Sequence, residues 1–219
     1  MIGRRGILRA GLAGLAAAAL WRVGAGGAGV WPGGSDEGLA LVAAARAQAG
    51  VTLIYDPAYV ALDFPGGDVA PERGVCTDVL IRALRRAQGL DLQAVVNADM
   101  KADFAAYPAL WGLKRPDRNI DHRRVPNLQC LFRRIGADRA PFAEAQAFRP
   151  GDVVTSVLPG NLPHLMIVSD RAAPGAERPL VLHNIGRGTR EEDGLFAYPL
   201  TGLYRLEPAA LDRMRALQG

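Results

Sequence analysis

Apolar spacing changes character once along this chain, and that change limits the folds open to it. Leu39, Leu41, Val42, Ala45 and Ala49 mark one helical face ending at Gly50, and Val79, Leu80, Ala83, Leu84 and Ala87 mark a second, closed by Gly89. Leu92 to Tyr107 predicts a third helix, and Leu128, Leu131, Phe132 and Ile135 form a short stripe stopped by Gly136. Beyond that point the rhythm shortens. "GDVVTSVLP" (151–159), "HLMIVSD" (164–170) and "PLVLHNIG" (179–186) read as strands between turns, and "LFAYPLTGLYRL" adds another. Helices first and strands later, without βα alternation, predict an α+β domain with N-terminal helices packed on an antiparallel β-sheet.

The ends read differently from the middle. "RRGILRAGLAGLAAAALW" joins a basic start to an uncharged run too short to span a bilayer, and residues 1–34 read as an export signal. Arg4, Arg5 and Arg9 resemble the twin-arginine pattern, beside the alternative of an ordinary secretory signal; either implies a periplasmic or cell-envelope location. Residues 36–206 form the predicted domain, with 207–219 as a terminal helix or tail. Removing Arg4, Arg5, Arg9 and Arg22 leaves 22 basic against 22 acidic residues, so the formal charge of +4 is no argument for a nucleic-acid partner. The reading carries no membrane span after signal removal, no cofactor, and a monomer.

Two cysteines and three histidines carry the chemistry. Cys76 stands at a predicted helix start, where free backbone N–H groups favour a thiolate. Asp78 in the same turn opposes that effect. A cysteine nucleophile needs a base and the base an orienting partner; His164 opens one predicted strand and His183 closes another. Three alternatives stand beside this reading: a Cys76–Cys130 disulfide, usual in an exported chain, an inert core thiol, and a zinc site of Cys76, His164 and His183, for which no metal-ligand spacing speaks. Cys130 is expected opposite the apolar stripe of its helix. "WGLKRPDRNIDHRRVPN" reads as a surface loop whose His122, Arg123 and Arg124, together with Asn161, are candidate substrate-binding residues, the arginines for a carboxylate.

The order of parts resembles the NlpC/p60-type, papain-like cysteine peptidases and amidases of bacterial cell walls: a cysteine at a helix start, then "GDVV", "HLMIV" and "VLH". More closely, "YDPAYVALDFPGGDVAPERGVCTDV", "WGLKRPDRNIDHRRVPNL", "PGDVVTSVLPGNLPHLMIVSD" and "HNIGRGTREEDGLF" are similar to family 1287 of the domain-of-unknown-function series, over about Val42 to Leu206. The resemblance implies a papain-like fold, with Cys76 as nucleophile, His164 as general base and His183 as its orienting partner. The implied substrate is peptidoglycan or a muropeptide, with hydrolysis of an amide. Val75 replaces the Asp that usually precedes the cysteine in the NlpC type, and Phe64 stands where that type tends to have an oxyanion-binding Tyr, leaving Tyr55 and Tyr59 as candidate substitutes. These departures motivate the alternative of a non-catalytic envelope-binding module of the same fold.

Overall fold

The computed structural model describes residues 29–139 and 144–219; the twin-arginine pattern and the apolar run of the leader lie outside them. Five α-helices occur among the described residues. Helix α1 (Asp36–Arg46) starts at Ser35, whose Oγ accepts the Gly38 N–H at 3.1 Å, with Asp36 and Glu37 at its electropositive end. Helix α2 (Cys76–Gln88) stops at Gly89, whose φ of +64° is left-handed backbone that glycine adopts without strain. Helix α3 (Leu92–Ala102) is capped by the Asp91 carboxylate, which accepts the Gln93 N–H at 3.2 Å. It is shorter than its apolar pattern suggests, because Asp103 leaves helical backbone and a 3₁₀ turn (Phe104–Ala106) follows. Helix α4 spans Val125–Arg134, with Pro126 in its first turn, and helix α5 spans Pro208–Gln218.

Two strands are short and parallel, β1 (Ile54–Tyr55) and β2 (Arg73–Gly74). The others are β3 (Asp138–Arg139), β4 (Val153–Leu158), β5 (Leu162–Ala172), β6 (Pro179–Asn184), β7 (Thr189–Glu192) and β8 (Leu200–Tyr204). They build one sheet in the order β3-β8-β4-β5-β6-β7, antiparallel at every step. The mixed α+β architecture with helices against an antiparallel sheet is therefore the observed one.

Alternation along the strands divides the buried side chains into two cores. Val153, Leu165, Ile167 and Leu182 meet the helices, including Leu80 and Leu84 of α2. Val154, Met166, Val168 and Val181 face the other way, against Phe148, Leu195 and Trp31. Helix α5 belongs to the first core through Ala210, Leu211 and Met214, so residues 207–219 are part of the domain rather than a tail.

Residues 29–34, assigned above to the leader, also belong to the domain. Trp31 is buried, its backbone N–H donates to Asp170 O (2.7 Å) and its indole N–H to Phe148 O (2.9 Å), while Val30 bridges Arg171. A processing cut that preserves these contacts falls before Gly29. Trp31→Phe keeps the ring stacked in the core but leaves the Phe148 carbonyl without its donor, and is expected to cost about 1–2 kcal/mol in urea denaturation. No described helix is long and apolar enough to cross a membrane.

Candidate functional site

Cys76 is the first residue of α2, and the chain before it is held in place by strand pairing. The parallel register sets Tyr55 opposite Gly74, two residues before the cysteine, so a tyrosine from a distant loop arrives beside the thiol. Tyr55, Cys76, Trp111, Arg123, Arg124 and Pro163 line one cleft of about 210 Å³. Cys76 is only 4% exposed. Burial pushes its thiol up to about 12, and the nearby Asp78 carboxylate adds to the rise. The N–H groups of Leu165, Thr77 and Cys76 itself act in the opposite direction without overcoming burial. The helix-start effect expected from sequence is thus present but outweighed. Burial, with the neighbouring cysteine, likewise lifts the Tyr55 phenol to about 12.

Beneath the cleft, Asp78 accepts the Val75 N–H at 2.7 Å and both Arg123 Nε (3.0 Å) and Nη2 (2.9 Å). The guanidinium also reaches the carbonyls of Ala58 and Asp56. Asp78 therefore compensates a neighbouring charge and closes the helix start.

The two strand histidines meet. His164 Nε2 and His183 Nδ1 are 2.8 Å apart, and His183 Nε2 lies 2.9 Å from Glu192 Oε1. An ionised Glu192 can only accept, which places the proton on His183 Nε2, makes His183 Nδ1 an acceptor and puts the second proton on His164 Nε2. The ring nitrogen left with a free lone pair is His164 Nδ1. Burial drives His164 down to about 3, with a smaller contribution from His183, and burial also lowers His183 despite the opposing Glu192.

Alternation places His164 and His183 with Met166 and Val181, on the face away from α2; Asn184, on the helix side, donates to Gly74 O (3.0 Å). Among the described residues neither histidine is hydrogen-bonded to Cys76, so the triad read from sequence is assembled only in its histidine half. The two halves are tied through β5: Pro163 lines the Cys76 cleft and the Leu165 N–H faces the sulfur, with His164 between them.

The other candidate residues separate. Arg124 lines the cleft, its guanidinium 4.0 Å from the Trp111 ring centre. Arg123 lines it too, but its donors are committed inward. His122 is not on a surface loop: the 3₁₀ turn Asp121–Arg123 is buried, and burial lowers His122 to about 4. Asn161 (φ +59°) turns the chain between β4 and β5 and does not line the cleft. The Tyr59 hydroxyl is engaged with Asp117 and Asn119, away from Cys76. Cys76 and Cys130 are both free; Cys130 is buried, contrary to its expected outward position, because α4 lies under the Phe104–Ala106 turn and the thiol donates to Ala106 O (3.3 Å). The described residues contain no group of three His, Cys, Asp or Glu arranged to hold a metal. Sequence reasoning missed Glu192, although the alternation of "TREE" would have placed it on the His183 face once β7 was recognised.

No solved structure matches the chain. An uncharacterized protein of Escherichia coli (strain K12), YijF, is 52% identical over 171 residues, covering 78% of this chain and 82% of that protein. The family described as "Domain of unknown function (DUF1287)" matches residues 42–206, from within α1 through the whole sheet to Leu206, two residues past β8, and the chain belongs to that family.

Proposed function

We propose that this domain is a cysteine hydrolase of the papain-like, NlpC/p60 type, exported to the cell envelope, where it cleaves an amide in a peptidoglycan-derived or related peptide. The observation that carries the reading is the directional chain His164–His183–Glu192, which leaves His164 Nδ1 as a fixed, unprotonated base on the strand that touches the Cys76 sulfur. In this reading His164 Nδ1 takes the thiol proton as the sulfur attacks the carbonyl carbon, and returns it to the leaving amine. His183 and Glu192 hold the tautomer and stabilise the imidazolium. The Cys76 N–H, with Tyr55 at the cleft edge, meets the oxyanion. The alternation that sets His164 on the face of β5 away from α2 stands against this contact of imidazole and sulfur, so the reading requires the Pro163–His164 end of the strand to turn toward Cys76 when substrate binds.

That same separation favours a second reading, a non-catalytic envelope-binding module with an idle Cys76. Digestion of purified cell walls distinguishes them. The hydrolase reading expects soluble fragments from the wild type, none above background from Cys76→Ala, and a loss of about 10²–10⁴-fold for His164→Ala. Retention on cell walls without turnover by any form would establish the module instead.

A further inference from the structure

The cleft beside Cys76 contains two guanidinium groups among its lining residues and no carboxylate. They are not equivalent. Arg123 is neutralised in place by Asp78, both side chains being no more than 3% exposed. Arg124 uses one N–H, donated by Nη1 to Asp121 Oδ1 at 2.9 Å, and its remaining donors have no partner among the described residues. Asp121 is buried and divides its carboxylate between this ion pair and the Asp117 N–H, so it compensates Arg124 from one side and leaves Nε and Nη2 free. The Trp111 ring centre lies 4.0 Å from the guanidinium carbon, a cation–π contact that restrains a flexible side chain. A planar fork whose Nε and Nη2 donors are free, beside an indole and with no carboxylate among the cleft's lining residues, is a receptor for a planar anion that accepts two parallel hydrogen bonds.

We infer that Arg124, braced by Trp111, is the specificity-determining residue of the cleft and that it binds a free carboxylate of a peptide ligand lying across Cys76. This rests on the proposed function for the position of the scissile bond but not for the binding itself. Pro57, Ile120, Val125 and Pro126 supply apolar walls to the rest of the cleft and suit the uncharged part of a peptide.

The test is equilibrium binding by the full chain carrying Cys76→Ala, so that the ligand is not consumed, using one library of acetylated tripeptides prepared as C-terminal acids and as amides. Acids are expected to bind at least about tenfold more tightly, a gap worth about 1.4 kcal/mol that shrinks with added salt. Arg124→Gln is expected to abolish the gap by weakening the acids alone. Arg124→Lys, which keeps the charge but not the fork, is expected to retain part of it and guards against misfolding of the first variant. Equal affinity for acids and amides, absence of binding by both, or a gap that survives Arg124→Gln would each overturn the assignment. Failure of the wild type to turn over cell walls would count against the hydrolase and leave this result standing.

Discussion

Asp78→Ala is expected to destabilise the domain by about 3–5 kcal/mol, an effect large enough to compromise folding outright. The carboxylate accepts three hydrogen bonds, two from the Arg123 fork and one from the Val75 N–H at the start of α2. Truncation strands a guanidinium that is 2% exposed and removes the cap in the same step. The cost comes from the orphaned charge rather than from the lost attraction, so pairing Asp78→Ala with Arg123→Met should recover a substantial part of the stability. Urea denaturation of the two single variants and the double variant checks this; additive losses in the double variant would show that the pair is not coupled. Arg123 also ties the Asp56–Ala58 segment to α2, so the single variants are expected to loosen the chain around Tyr55 before the sheet.

Acidification is expected to remove stability well above the usual carboxylate range. His164, His122 and His183 are all held neutral by burial, at about 3 and about 4 for the first two and below the ordinary value for the third. In the unfolded chain each protonates near 6.5, so between that value and the folded ones the unfolded state binds more protons. Their contribution is complete above about pH 6.5 and is lost as pH falls toward the folded values, at up to about 1.4 kcal/mol per pH unit for each histidine. Asp121 and Asp152, raised by burial, work in the opposite direction above the ordinary carboxylate range, while Glu191 and Asp193, lowered by arginine partners despite burial, add their own loss below it. The upper part of the window, just below 6.5, is where the three histidines act together. Denaturation midpoints at pH 7, 5.5 and 4.5 should fall steeply, and His122→Gln should flatten the slope. A flat profile in that window would mean that the imidazoles are not held neutral in the fold.

The helices and the central strands were legible because their signals are local: apolar recurrence from Val79 to Ala87 and β-rich runs around Val153 and Ile167 need no knowledge of distant residues. The meeting of His164 and His183 was also within reach, since neighbouring antiparallel strands with histidines at their ends leave few arrangements. What was not legible depends on long-range pairing. The loop 111–124 looks charged and solvated, yet Asp121, His122 and Arg123 are buried because Asp78 and the backbone of the Asp56–Ala58 segment satisfy Arg123 from elsewhere in the chain. Trp31 looked like the end of a leader because its partners, Phe148 and Asp170, lie more than a hundred residues away. The face on which His164 lies relative to Cys76 follows from strand register, which apolar spacing alone leaves unfixed.

The histidine chain has an outer end. Glu192 keeps 42% of its side chain in solvent while His183 and His164 are buried behind it. With the tautomers set by Glu192 every proton in the chain points outward, so a proton arriving at His164 Nδ1 would push the Nε2 proton to His183 and the His183 Nε2 proton to the carboxylate while the sheet stays closed. The buried pair is thus connected to solvent at β7, on the face of the sheet opposite the cleft.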